Sequence, residues 1–244
     1  MTILRAELMK VRILPTPMVI AAACFVISTI VAVVVLATTP AEDDVYRDAP
    51  VFAAFVPGMI GALVFGAWVF GLDFAQGTMR RTVTTEPRRP VIVAAKFLVV
   101  TVVTGAFLAA YGALSALVAI AISSSNSIDI VTGEAFELVP SLALQGTLVA
   151  LLAGAITLLV RSFTGGLIAT FAMVFVIDEL LGISETIRDY TFGVALRSVD
   201  AAFATSDPGF AGTHSLAGGI LLGLGWVAAI AIPGAIRFTR DDLK

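Results

Sequence analysis

Charge is scarce in this chain. Only 14% of its 244 residues are Asp, Glu, Lys or Arg, while 59% are hydrophobic and the mean hydropathy is +1.01. A soluble domain of this size needs a charged surface, and this composition cannot supply one. Cysteine is nearly absent. Cys24 stands alone inside an apolar run, which excludes an internal disulfide and leaves no metal or redox motif. It reads as a small apolar helix residue. Histidine is equally sparse: His214 is the single one, too isolated to read as a ligand or base. No Gly-x-x-x-x-Gly-Lys-Ser/Thr loop occurs, so the usual backbone cradle for nucleotide phosphates is missing. With no catalytic set, the chain does not read as an enzyme. A net charge of −3 gives no basic bulk for nucleic acid.

What is present is a series of uncharged runs, at 13–41, 49–72, 97–128, 138–160, 162–177 and 208–237 (the last closing on Arg237). A bilayer core of about 30 Å needs about 20 apolar residues in a helix. Each run holds one span and none is long enough for two. The expected fold is an all-α polytopic membrane protein forming one transmembrane domain over 1–244, with six spans at about 16–39, 50–72, 98–122, 138–160, 163–181 and 214–236. The fifth is extended through Leu180 and Leu181, with Asp178 and Glu179 at the water interface. The first run is too long for the apolar core of a cleaved leader, about 7–15 residues, and reads as a retained span. No Asp, Glu, Lys or Arg falls near the middle of any span, which argues against a carrier driven alone by protons or sodium.

Lysine and arginine set the orientation. With the N-terminus inside, twelve fall on the inner side, among them Lys10, Arg80, Arg81, Arg88, Arg89, Lys96, Arg161 and Arg237, against Arg47, Arg188 and Arg197 outside. Both termini are therefore expected in the cytosol. Arginine outnumbers lysine twelve to three and Ala and Val are abundant, a composition typical of GC-rich bacterial genomes, so the expected location is a bacterial plasma membrane. Before the first span, Leu4, Leu8 and Val11 repeat at helical spacing among Arg5, Glu7, Lys10 and Arg12. Residues 3–12 read either as an amphipathic helix in the inner interface, turned into the membrane at Pro15 and Pro17, or as a basic flank that sets topology.

The loop between the second and third spans carries the most information. Asp73 is suited to cap a new helix, with Gln76 three residues on, and Pro87 disfavours helix at Glu86. A helix of about three turns is expected over 74–86, with Phe74, Met79 and Val83 as its apolar contacts. The order Asp73, Gly77-Thr78, Arg80-Arg81, Pro87-Arg88-Arg89 and Lys96 resembles the first cytosolic loop of permease subunits of small six-span type 2 ATP-binding cassette transporters. The tight hairpin at Arg161 is similar too. The motif covers about twenty residues, and the resemblance otherwise extends over the chain as topology. It implies that this loop includes a coupling helix, at 74–86, docking on a separate ATPase, with Asp73 to Arg89 as the coupling segment, two ATPase subunits holding ATP and Mg, and a second permease, identical or related. Charge alone, holding the loop inside, is the simpler reading of Arg88, Arg89 and Lys96.

The resemblance implies an exporter subunit whose substrate passes between two permeases. The other readings are a non-transporting scaffold or sensor coupled to an ATPase, and a stand-alone carrier or channel. No substrate residue is singled out. In the outer loop at 178–214, Ile183, Ile187, Tyr190 and Val194 repeat at helical spacing, as do Leu196, Val199 and Phe203, so one or two amphipathic helices are expected there. Gly219 and Gly223 form a small-xxx-small motif, suited to packing within the chain or to a dimer, and Gly58, Gly61 and Gly66 thin the second span. Pro57 and Pro233 are candidate kinks.

Overall fold

The structure is a computed structural model that describes residues 3–38, 44–78, 88–125, 132–203 and 213–240. Every regular element among them is helical. The order is α1 (Ile3–Ile13), α2 (Pro15–Thr38), α3 (Asp44–Ala75), α4 (Arg89–Ser125), α5 (Thr132–Val160) and α6 (Phe163–Ala172). A π-helical turn (Met173–Ile177) leads into α7 (Asp178–Gly182), and a 3-10 turn (Arg188–Tyr190) into α8 (Phe192–Ala201) and α9 (Leu216–Arg240). Five stretches are long and apolar enough to cross a membrane: Ala54–Ala75, Arg89–Val118, Val139–Val160, Phe163–Gly182 and Leu216–Arg240. A sixth is reached if α1 and α2 are counted together across their 59° bend. The architecture is compatible with a multi-pass membrane protein.

The bend has a local cause. Pro15 disfavours helical backbone at Leu14 and then serves as the first residue of α2, where its missing N–H costs nothing. Leu14 N–H still bonds Lys10 C=O at 3.0 Å, so α1 runs its full length before the chain turns. The hairpin between α5 and α6 is just as tight. Arg161 takes φ 61°, the left-handed conformation that ends a helix. Ser162 then caps α6, its hydroxyl accepting from Gly165 N–H at 3.2 Å.

α5 forms the centre. It packs on α3, α4, α6, α8 and α9, and Ala150, Leu152, Ala153 and Ala155 are fully enclosed. α3 crosses it so closely that a Cβ on Gly66 would run into the carbonyl of Ala150. Gly219 and Gly223 are also spent inside the chain. A Cβ at Gly219 would lie 2.9 Å from Ala195 O, and one at Gly223 would lie 3.0 Å from Leu148. The packing reading of that motif is the one the structure realises.

At the end of the bundle that carries α8 the structure adds to two expectations. Asp178, expected with Glu179 at the water interface, is turned into the protein. Its side chain is buried, and its Oδ1 accepts from Gly193 N–H at 2.9 Å. The carboxylate thus fills the N-terminus of α8, where free amides and the helix dipole favour negative charge. The Ile183, Ile187, Tyr190, Val194 repeat does not form one helix: Tyr190 closes the 3-10 turn, Val194 is in α8, and Ile183 and Ile187 lie in turns. Ile183, Ile187 and Tyr190 are exposed, because α7 stops at Gly182. The second repeat is a helix: α8 buries Phe192, Val194, Ala195 and Val199. Its far turn is tied down by polar contacts. Ser141 donates to Asp200 at 2.7 Å, and Gln145 donates to both Ser141 and Asp200. His214 Nε2 lies 2.7 Å from the carbonyl of Asp189. A carbonyl only accepts, so this nitrogen carries the proton.

Candidate functional site: a buried charge network

α1 does not bury its apolar side chains alone. Glu7 is the enclosed residue of the helix, while Arg5, Leu8, Met9, Arg12 and Ile13 are exposed. Glu7 and Lys10 stand three apart, hence on one face, and Lys10 Nζ bonds Glu7 Oε1 at 2.9 Å. That face meets Asp73, in the last turn of α3, and Lys96, two turns into α4. Lys10 Nζ lies 3.0 Å from each oxygen of Asp73. Lys96 Nζ lies 2.6 Å from Asp73 Oδ2 and 3.1 Å from Glu7 Oε2. The four charges close a ring in which each ammonium touches both carboxylates.

The ring is well removed from solvent. The side chains of Lys96, Asp73 and Glu7 are 1%, 2% and 4% exposed, and that of Lys10 is 30% exposed. An ammonium has three donors, and Lys96 spends its third on the carbonyl of Val69 at 2.8 Å. Its charge also stands 5.8 Å from the centre of the Phe70 ring, within range for cation–π attraction. In α1, which precedes the first apolar run, burial works against the charge on Lys10. The carboxylates of Glu7 and Asp73 outweigh it and hold the pKa above the ordinary lysine value.

Asp73 is not the cap of a new helix: α3 runs on through Ala75, and its carboxylate is taken up by the two lysines. The Gly-Thr pair completes the arrangement. Gly77 takes φ 62°, a conformation that costs other residues about 1–2 kcal/mol, and this turns the chain back at the end of α3. Thr78 Oγ1 then donates to Asp73 Oδ1 at 2.8 Å. Phe74 packs against the core, and Gln76 continues the α3 ladder through its N–H to Leu72 O at 2.9 Å. Arg80, Arg81, Val83 and Pro87 lie outside the described residues, as does most of the expected helix over 74–86.

At the same end of the bundle, arginines hold helix termini. Arg89 Nη1 donates to Phe238 O at 2.8 Å and Thr239 O at 3.1 Å, satisfying carbonyls that the end of α9 leaves free. Arg161 donates to Arg237 O at 2.7 Å, and Arg237 returns a bond to Leu159 O at 3.2 Å. Arg89 is therefore a fastener between α4 and α9. Arg88 is exposed beside it.

Of the expected site residues, the structure brings Asp73 and Thr78 together through Gly77 and sends Arg89 to a different helix. Sequence reasoning missed Glu7, Lys10 and Lys96 as one unit. A signal was available: the chain has only three lysines against twelve arginines, and two of the three meet here. No protein-family model, curated protein or solved structure matches this chain.

Proposed function

We propose that the chain is the transmembrane permease subunit of an ATP-binding cassette exporter in a bacterial plasma membrane. Both termini are cytosolic, so the end carrying the charge ring faces the cytosol. A separate pair of ATPase chains binds ATP and Mg, and a second permease, identical or related, completes the substrate path.

The observation that carries this reading is the closed ring of Glu7, Lys10, Asp73 and Lys96. It joins α1, the root of the loop after α3, and the start of α4. Breaking a buried pair leaves an uncompensated charge and costs about 3–5 kcal/mol, so the three elements move together. A push on the loop beyond Thr78 is delivered to two long helices at once and to α1. The exposed face of α1, with Arg5, Arg12, Leu8, Met9 and Ile13, suits a helix lying among lipid headgroups. A rigid junction of this kind, beside a loop with paired arginines, serves a coupling role better than a channel, which needs no such lever.

Co-purification in mild detergent tests the reading. Wild type should bring down a soluble ATPase of the ABC class, and a variant with Arg80, Arg81 and Val83 changed to Glu should lose it. If intact wild type captures no such ATPase in several detergents, the exporter reading fails. If the ATPase is captured but no cargo stimulates its hydrolysis, a sensor coupled to an ATPase replaces the exporter.

A further inference from the structure

A cavity of about 80 Å³ lies where α2, α3 and α4 meet, between Pro17 and Ile20, Phe65, and Thr104 and Phe107. Thr104 lies roughly 12 Å along α4 from Lys96, at about 1.5 Å per residue, so the cavity is separate from the charge ring. Its walls are apolar apart from Thr104. Thr104 is 1% exposed, and its Oγ1 has no hydrogen-bond partner. Among the described residues two other hydroxyls share that condition, on Ser115 and Thr157, but neither lines the cavity.

The two observations constrain the occupant. A buried hydroxyl without a partner costs about 1–3 kcal/mol, so a guest that supplies one is favoured. Water is a poor guest, since it needs two to four polar partners and this site offers one side chain. The volume is about half that of an apolar cavity known to take benzene, ~150 Å³, which leaves room for a short alkyl body and not for a whole lipid. Charge is excluded, because no ionised group lines the walls to offset its desolvation.

We infer that this cavity binds a small uncharged amphiphile, an aliphatic body of a few carbons carrying one hydroxyl or carbonyl, with Thr104 making its polar contact. The inference does not depend on coupling to an ATPase.

The test uses the purified full chain and two photoreactive probes, a diazirine-bearing butanol and the matching diazirine-bearing butane, with adducts mapped by mass spectrometry. Butanol adducts should concentrate on Ile20, Phe65 and Phe107 relative to the exposed side chains Ile168 and Leu221. Thr104→Val should cut that excess about fivefold, the worth of one neutral hydrogen bond, and leave Ile168 and Leu221 unchanged. Ala21→Leu, which fills the cavity from a partly exposed wall position, should abolish the excess. Without probe, Thr104→Val should unfold at the same temperature as wild type or higher, because it removes an unmet hydroxyl; this separates lost binding from lost folding. Equal labelling of cavity and exposed positions would overturn the inference. So would equal excess with butane, or an excess indifferent to Thr104→Val.

Discussion

Lys96 illustrates how a single side chain can join three elements. Its three donors meet a carboxylate on α1, a carboxylate on α3 and a carbonyl of α3. A guanidinium is planar and cannot serve that arrangement. Lys96→Met should therefore lower stability by about 3–5 kcal/mol, leaving two carboxylates to share one partly exposed lysine. Lys96→Arg should recover little of this. The double variant Lys96→Met with Asp73→Leu leaves Glu7 and Lys10 as a neutral pair, so it should be more stable than Lys96→Met alone. Thermal unfolding in detergent measures all three. Additive losses would show that the four charges do not act as a unit. At the turn, Gly77→Ala should cost about 1–2 kcal/mol from its positive φ alone, even though a Cβ there meets open space. A smaller loss, below about 0.5 kcal/mol, would mean the turn relaxes freely and does not hold Thr78 against Asp73.

Among the elements, helix contacts divide into those the apolar pattern announces and those it conceals. The long runs were legible because a helix that sheds charge for about twenty residues has few other uses. The α5–α6 hairpin was legible from Arg161 interrupting two runs. The charge ring was not, because its members stand 63 and 89 residues apart and each lies at the edge of an apolar run, where a charge is expected anyway. The burial of Asp178 was hidden for the same reason. Its partner is the amide of Gly193, fifteen residues on, and nothing in the local pattern marks it. Asp73 followed by Gln76 has the form of a capping box, but apolar packing of Phe74 carries α3 past it, and Gly77 supplies the stop. Close crossing of α3 and α5 has a direct check. Gly66→Ala puts a methyl group into a backbone carbonyl that cannot step aside, and overpacking of this kind costs about 1–3 kcal/mol. An unchanged melting temperature would mean that the two helices do not approach as described.

For the whole molecule, the reading turns on which end faces the cytosol and what meets it there. Orientation is accessible because Cys24 is the single cysteine and Cys24→Ala clears the background. In that background Ile183→Cys, exposed in the turn after α7, should react with a membrane-impermeant maleimide in intact cells. Leu8→Cys, exposed on α1, should react only after lysis. The reverse pattern would invert the topology and remove the loop after Thr78 from any cytosolic ATPase. The arginine fasteners point the same way at this scale. Arg89, Arg161 and Arg237 tie α4, the α5–α6 hairpin and α9 together at the end where the ring ties α1, α3 and α4. Motion entering through the loop would therefore meet a braced frame. The most direct test is site-specific photo-crosslinking in cells, with the photoreactive residue placed at position 81 in one variant and at position 183 in another. The account predicts an adduct with an ABC-type ATPase at 81 and none at 183. No ATPase adduct at 81, or equal capture at both positions, would contradict it.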